Sequence, residues 1–272
     1  MIYLRETQDR GKFVKDILSL EIDNQIQSIK KVLIKPNIVS HEPYPSTTHP
    51  IVLQTCLDYF LAHKKDVVVA DGPAPDAGDS RKLLDNHELK RICDSFDVPL
   101  LDLIKSEMKT IELEDFTLEL SSLPFQYDFI LSLPVLKSHS ICQFTGSLKN
   151  QFGLLSRRSR INLHLDSKNI DRVIALINTI IKPNFYIVDA VETLINTNEL
   201  RHGGEKRSLG FMLAGSDPVG LDALGLKLLQ KVEPRLMGKS VTDIPYLKYA
   251  IDLEVGDLNH EAKDPTELNR IG

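Results

Sequence analysis

Short apolar runs alternate with stretches of helical periodicity along this chain. The runs predict buried strands, because their apolar residues follow one another without the polar alternation of a half-exposed strand. They are KKVLIKPN (30–37), DVVVADG (66–72), DFILSLP (128–134), NFYIVDA (184–190) and SLGFMLAG (208–215). Around them, apolar residues recur every three or four positions and predict helices over 9–20, 50–63, 80–95, 169–181, 217–230 and 244–252.

This alternation of strands and helices predicts an α/β fold, with a mostly parallel sheet and helices on both of its faces. The segments 109–113 and 116–120 predict a small antiparallel ribbon inserted in that fold. Residues around 98–125 are a candidate small subdomain, but no Ser/Gly-rich linker divides the chain, so we expect a single α/β domain over 1–272. Residues 192–207 predict a polar loop, and residues 138–164 show no clear periodicity.

Polar side chains suited to ligand binding follow each of the five predicted strands. In strand order they are Lys35 with Asn37, Asp71, Lys137 with His139, Asp189, and Asp217. Ligands of parallel α/β sheets bind beyond the carboxyl ends of the strands. If the five strands are parallel neighbours, these side chains meet at one rim of the sheet. The alternative is that they are ordinary polar exits from strands, with Asp189 acting as a cap.

The densest group of candidate binding residues lies between positions 137 and 150. Lys137, His139, Lys149 and Asn150 follow a strongly apolar strand. Lysine is a compact cationic donor, and asparagine supplies two donors and an acceptor, so together they suit a carboxylate or a phosphate. A histidine beside them could exchange a proton near neutral pH. The alternative interpretation is a solvated loop.

Two further features allow both a structural and a binding interpretation. Thr48 precedes a predicted helix, where it would be the N-cap or would help to bind an anion. Arg157, Arg158 and Arg160 lie close together, and we favour a solvated basic turn for them. An anion-binding lid or a nucleic-acid contact is the alternative for these arginines.

A divalent metal site is the weakest of the candidate features. His139, His164 and either Asp189 or Asp217 are residue types that bind such metals, although their spacing matches no fixed motif. A structural role is the alternative for His164. The three cysteines, Cys56, Cys93 and Cys142, are far apart, so we expect no iron–sulfur or zinc site made from them.

Charge and motif content narrow the class of protein. The chain has 33 basic and 38 acidic residues, a formal net charge of −5, which argues against a nucleic-acid backbone as the main partner. The Rossmann, P-loop, α/β-hydrolase and HExxH fingerprints do not occur. Few cysteines are typical of a reducing compartment, and neither a signal peptide nor an apolar span of about 20 residues is visible. We therefore expect a cytoplasmic protein without a membrane partner.

A series of short motifs, in one order over about residues 31–225, resembles a known family. The motifs are VLIKPNIVS, TTHP, VVVADGP, LPVLKSH, TGSLKNQFG, His164, YIVDAVE and GSDPVGLDALG. Together they resemble domain-of-unknown-function family 362, whose core is similar to the α/β domain of nickel-dependent lactate racemases. The resemblance implies a fold but no reaction, since the family has no general assigned one. Many members carry ferredoxin-type cysteine motifs. This chain lacks them, so the resemblance does not imply an iron–sulfur cluster here.

These observations favour an enzyme that acts on a small anionic carboxylate or phosphate at the carboxyl rim of the sheet. The candidate catalytic residues are His139, His164 and Asp189. The candidate binding residues are Lys35, Asn37, Thr48, Asp71, Lys137, Lys149, Asn150 and Asp217. Two alternatives stay open: a non-catalytic protein that handles a metal or cofactor at the same rim, and a nucleic-acid-associated factor. The substrate, the metal and the oligomeric state do not follow from the sequence.

Overall fold

A sheet of eight strands forms the centre of the structure, a computed structural model that describes residues 1–113, 116–165 and 169–265. In chain order the strands are β1 (Ile2–Glu6), β2 (Lys31–Pro36), β3 (Asp66–Asp71), β4 (Leu100–Asp102), β5 (Met108–Glu112), β6 (Thr117–Ser121), β7 (Phe129–Leu133), β8 (Lys137–His139), β9 (Gln143–Thr145), β10 (Phe185–Ile195), β11 (Glu205–Gly215) and β12 (Ala262–Lys263). Strands β5 with β6, and β8 with β9, form separate antiparallel ribbons.

The order across the large sheet is β12-β1-β11-β10-β7-β2-β3-β4. Five neighbours, β10, β7, β2, β3 and β4, run parallel. Strand β11 runs antiparallel to both β10 and β1, and β12 pairs in parallel with β1. The mostly parallel α/β sheet and its inserted antiparallel ribbon are therefore confirmed. The reversed direction of β11 was not predicted.

Helices cover both faces of this sheet. They are α1 (Arg10–Ile22), α2 (Pro50–Ala62), α3 (Ser80–Asp85), α4 (Glu88–Ser95), α5 (Ser147–Asn150), α6 (Arg157–Leu165), α7 (Ile170–Ile180), α8 (Pro218–Leu229) and α9 (Pro245–Asp252). Successive side chains of a strand point to opposite faces. Accordingly Val32 and Ile34 of β2 pack in one core with α1 and α2, while Leu33 packs in a second core with α7, α8 and α9. Burial on both faces explains the unbroken apolar runs.

Three sequence expectations are corrected by the observed elements. The helix predicted over 80–95 is two helices, because the side chains of Asp79 and His87 each cap a separate start. The loop predicted over 192–207 is shorter and covers only 196–204, since β10 continues to Ile195 and β11 begins at Glu205. The pairing of β10 with β11 shifts register at a bulge between Ala190 and Glu192. Beyond the bulge these two strands continue as a β10–β11 ribbon, past the ends of the neighbouring strands. The stretch 138–164 holds β8, β9, α5 and most of α6.

The cysteines and helices of the described residues bear on two further expectations. Cys56, Cys93 and Cys142 are all buried and unbonded. Within the described ranges, no helix combines the length and the apolar character that a membrane crossing requires.

Asp217 caps α8 through hydrogen bonds from the N–H groups of Val219 and Gly220, as its position before Pro218 predicts.

Candidate functional site

A cleft of about 660 Å³ opens at the carboxyl ends of the parallel strands. Its walls come from the segments after β2 and β3, from β8 and β9, from α5 and α6, and from the tip of the β10–β11 ribbon. The structure brings the following predicted site residues to this cleft: Asn37, Asp71, Lys137, His139, Lys149, Asn150 and His164. Lys35, Thr48, Asp189 and Asp217 do not line it.

Lys35 lies directly beneath the cleft, and Asp71 is its ion-pair partner. Its Nζ is 2.6 Å from Asp71 Oδ1, and both side chains are buried. The second carboxylate oxygen of Asp71 accepts a hydrogen bond from the backbone N–H of Ile38. Burial lowers the pKa of Lys35, and the neighbouring Asp71 opposes that shift. Lys35 and Asp71 thus form a buried ion pair that ties β2 to β3.

Three other buried cations line the cleft without such a partner. Among the described residues, Lys137, Lys149 and Arg160 make no ion pair. The Nζ of Lys149 lies 4.6 Å from the ring centre of Phe152 and makes no hydrogen bond within those residues. The Nε and Nη2 atoms of Arg160 are buried and have no hydrogen-bond partner there. The cleft therefore holds buried cations that form no ion pair with any carboxylate of the described residues.

Burial makes these charges costly. It lowers the pKa of Lys137 to about 7, and the nearby Lys149 adds to this effect. Burial also lowers the pKa of Lys149 and brings the pKa of Arg160 down to about 10. A buried donor that lacks a partner loses its hydration without compensation. An anion bound in the cleft would accept hydrogen bonds from these donors and so offset the lost hydration.

Arg160 is the principal residue that sequence reasoning misjudged. The predicted solvated basic turn is wrong for it, since its side chain is buried and its Nη1 donates to the carbonyl oxygens of Gly72 and Pro73. Gly72 permits the close packing here, because a Cβ there would clash with the backbone carbonyl oxygen of Gly153 and would lie 3.2 Å from Arg160 Nη2. A helical signal was present: Ser156, Ser159 and Arg160 share the i, i+3, i+4 spacing of one buried face.

His139 presents a hydrogen-bond donor to the cleft. Its Nδ1 accepts hydrogen bonds from the backbone N–H groups of Ile141 and Cys142, each at 3.1 Å. Burial and the nearby Lys149 hold its pKa well below the usual histidine range. The ring is therefore neutral, with its single proton on Nε2. This geometry makes His139 a donor at neutral pH.

His164 has the opposite tautomer. Its Nδ1 lies 2.7 Å from the backbone carbonyl oxygen of Arg160, which can only accept, so Nδ1 carries the proton. In the neutral form of this ring, the Nε2 atom keeps its lone pair. The ring packs edge-on against Phe152, with 5.7 Å between centres. His164 is thus suited to accept a proton from a ligand, and the cleft combines one donor and one acceptor imidazole.

Thr48 positions a cleft residue and is not the N-cap of α2. Its Oγ1 accepts from the backbone N–H of Asn37 and donates to the carbonyl oxygen of Leu133, both at 2.7 Å. The N-cap of α2 is His49. Both hydrogen-bonding functions of Thr48 are used within the protein, so it supports Asn37 from behind the cleft.

The short helix α5 carries Lys149 and Asn150 into the cleft and is anchored by Asp222. The carboxylate of Asp222 accepts hydrogen bonds from the backbone N–H groups of Ser147 and Leu148, at 2.6 and 3.2 Å. Burial raises the pKa of Asp222 to about 7. Asn150 donates to Ser132 Oγ at 2.9 Å. Asp222 is therefore a positioning residue for α5.

Asp189 lies in the middle of β10 and does not reach the cleft. Its carboxylate accepts from Arg10 Nε at 2.7 Å, from the Tyr44 hydroxyl at 2.8 Å and from the backbone N–H of Val191. The strand was expected to end here, but it continues past Asp189. Asp189 thus joins α1 and the segment after β2 to the ribbon. It lies level with the rim, paired with Val135 just past the end of β7, but it does not line the cleft, so it does not meet the other predicted catalytic residues there.

Asp217 lies at the opposite edge of the sheet, which corrects its expected place at the rim. Because β11 is antiparallel, Gly215 pairs with Tyr186 near the start of β10. Besides capping α8, Asp217 Oδ2 accepts from the backbone N–H of Asp257 and lies 2.7 Å from His260 Nε2. The predicted metal set of His139, His164 and Asp189 or Asp217 is therefore not assembled.

One other group near the mouth of the cleft has metal-binding residue types. Asp76, Glu199 and His202 place one ligand atom each within 4.8 Å of one another. Arg201 already bonds both carboxylates, with Nη2 at 2.8 Å from Asp76 Oδ2 and Nε at 2.8 Å from Glu199 Oε2. His202 Nε2 also lies 3.1 Å from Asp76. These groups are neutralised by the protein, so no chemical step is assigned to a metal here.

Comparison with known proteins places the chain in a family. The model of the domain of unknown function DUF362 matches residues 32–227, which is most of the chain. The chain belongs to the DUF362 family. The motifs that suggested this family include Lys137, His139, Lys149 and Asn150, which the structure gathers in the cleft. The match names no reaction for this DUF362 protein.

Individual relatives of this DUF362 protein are distant. The thylakoid-associated protein sll1697 of Synechocystis sp. is 23% identical over 213 residues, which are 76% of this chain and 65% of that protein. The lactate racemase apoprotein of Thermoanaerobacterium thermosaccharolyticum superposes with a TM-score of 0.54 and 16% identity, over 85% of this chain and 57% of that one. The second likeness establishes a shared α/β fold. This chain thus spans less than two thirds of either protein.

Proposed function

We propose that this DUF362 protein is an enzyme that binds a small carboxylate or phosphate in the cleft and transfers a proton to or from it. The observation that carries the proposal is the pair of buried cations, Lys149 and Arg160: Lys149 Nζ and the Nε and Nη2 atoms of Arg160 have no hydrogen-bond partner in the described residues. Unpaired buried charges are retained where a ligand completes them. Lactate, named for the structural neighbour, is itself a small carboxylate.

The two histidines supply the proposed proton chemistry. The Nε2–H of His139 donates a hydrogen bond to an oxygen of the ligand, and the Nε2 lone pair of His164 accepts a proton from it. Asn37 and Asn150 add neutral hydrogen-bonding groups to the same wall. Lys149 and Arg160 neutralise the anionic group, which keeps the ligand oriented during transfer.

Isothermal titration calorimetry with inorganic phosphate and with pyruvate tests the binding. Lys149→Met and Arg160→Met should each weaken binding at least about tenfold, since a hydrogen bond to a charged group contributes about 1.5–3 kcal/mol. Arg158→Met is the matched control, because Arg158 lies on the same helix but is exposed. Wild-type affinity for both probes in the Lys149 and Arg160 variants would contradict the proposal.

Hydrogen exchange of bound pyruvate tests the catalytic part. In deuterium oxide, the protein should accelerate loss of the pyruvate methyl proton signal in an NMR time course. His164→Gln should remove most of that acceleration and leave pyruvate binding in place, because glutamine keeps a polar group but has no basic nitrogen. Tight binding without any acceleration would favour the non-catalytic binding protein instead.

A further inference from the structure

Lys137 differs from the equally buried Lys35 in what surrounds its amine. Both side chains are 1% exposed, and both lie at the carboxyl edge of the sheet. Lys35 has a carboxylate at 2.6 Å, whereas Lys137 has no carboxylate within ion-pair distance among the described residues. Burial disfavours a positive charge on Lys137, and the neighbouring Lys149 acts in the same direction, whereas Glu199, Glu42 and Asp71 favour the charge from beyond ion-pair distance. Burial outweighs these carboxylates and lowers the pKa of Lys137 to about 7, so a large fraction of the amine is neutral at neutral pH.

The hydrogen bonds of Lys137 leave the third position on its nitrogen open, and in the neutral form that position is a lone pair. Its Nζ donates to Asn37 Oδ1 at 2.9 Å and to the backbone carbonyl oxygen of Ser46. A neutral amine has two N–H bonds and one lone pair, while an ammonium has three N–H bonds. The two acceptors use both N–H bonds of the neutral form. The lone pair is left over, on a residue that lines the cleft.

We infer that Lys137 is a nucleophile that forms an imine with a small anionic aldehyde or ketone held in the cleft. This inference rests on the proposed function, because Lys149 and Arg160 would hold the anionic group while the carbonyl carbon faces Lys137. It narrows the ligand class from any small anion to one that also carries a carbonyl group. Asn37 becomes a positioning residue, since its side-chain oxygen orients the amine.

The proposed step balances without any further reactant. The Nζ lone pair forms a bond to the carbonyl carbon, and the carbonyl π electrons move to the oxygen. A proton lost by the nitrogen passes to that oxygen and gives a neutral carbinolamine. Loss of water, with the second nitrogen proton, then leaves the carbon–nitrogen double bond. The Nε2–H of His139 can donate a hydrogen bond to the oxygen while it carries negative charge.

Reductive trapping tests the inference on the wild-type protein. The protein is incubated with pyruvate and sodium cyanoborohydride at pH 7.5, digested, and analysed by peptide mass spectrometry. We expect an adduct at Lys137 that forms at least tenfold faster than at Lys12, an exposed lysine that serves as the internal control. The adduct should be absent in Lys137→Arg. A rate at Lys137 no greater than at Lys12, or preferential labelling of Lys149, would overturn the inference.

The two proposals fail in different ways. If pyruvate and phosphate bind through Lys149 and Arg160 but Lys137 is not labelled, the imine is wrong and the anion site stands. If Lys137 is labelled but Lys149→Met does not slow the labelling, the amine is reactive and the anion site is wrong. Because the wild-type digest compares two lysines of one sample, the comparison of Lys137 with Lys12 does not depend on the folding of any variant.

Discussion

Two sets of buried cations lie side by side at the carboxyl edge of the sheet. Lys35, below the cleft, has Asp71 as a partner at 2.6 Å. Lys149 and Arg160, in the cleft wall, keep nitrogen atoms without a partner in the described residues. Burial alone therefore does not separate a structural cation from a binding one. The presence or absence of a protein partner does, because a structural charge must be compensated within the fold.

The largest effect on stability is expected from breaking the ion pair of Lys35 with Asp71. Asp71→Asn leaves Lys35 buried and unpaired, which should lower the free energy of unfolding by about 3–5 kcal/mol. Urea denaturation followed by circular dichroism measures this change. The double variant Lys35→Met/Asp71→Asn should recover much of the loss, because no charge is then buried alone. If Asp71→Asn were as stable as the wild type, the ion pair of Lys35 would not distinguish it from the unpaired Lys149 and Arg160.

The unpaired Lys137 predicts a pH dependence of stability. Its pKa falls to about 7 in the folded protein, from an ordinary value of 10.5, so the unfolded chain binds more protons between these values. The unfolding free energy should therefore rise from pH 7 to about 10, by at most about 1.4 kcal/mol per pH unit from this group. Below pH 7 its contribution is constant.

Lys137→Met should remove that part of the pH dependence. Urea denaturation at pH 7, 8 and 9 compares the slopes of the variant and the wild type. Equal slopes in the two proteins would show that the amine is solvated or paired in the folded state, which would place Lys137 with the compensated cations such as Lys35.

A third variant, Lys149→Met, should change the free energy of unfolding in the direction opposite to Asp71→Asn. Lys149→Met removes an uncompensated buried charge and keeps an apolar stem of similar length. We expect it to raise the free energy of unfolding by roughly 1 kcal/mol in the absence of ligand, whereas Asp71→Asn lowers it. Thermal denaturation without and with phosphate measures this, and a clear loss of stability would mean that Lys149 has a structural partner.

The smallest effect is expected for an exposed cation next to the buried one. Arg158→Met should change stability by no more than about 0.5 kcal/mol, because its side chain is exposed. Differential scanning calorimetry of this variant beside Arg160→Met separates the two neighbours. Changes of stability that are equal in the two variants would contradict the different burial of Arg158 and Arg160.

Much of the cleft follows from local sequence patterns. Apolar runs predicted β2 and β3, which carry Lys35 and Asp71 near their carboxyl ends. The dense polar segment from Lys137 to Asn150 indicated the wall of the cleft. Asp189 and Asp217 were misplaced because an apolar run does not encode how far a strand continues or which way it runs. Arg160 was misjudged because three arginines in one short segment look alike until one helix face is buried.

The sequence by itself determined the α/β class, the strands, most of the helices and the family, since each depends on local periodicity or on short motifs. Only the tertiary structure decided which polar groups have partners. Those contacts join residues far apart in the chain, such as Asp71 with Lys35 and Asp222 with the start of α5. Local pattern carries no information about them, because long-range contacts form only when the strands take their order and direction in the sheet.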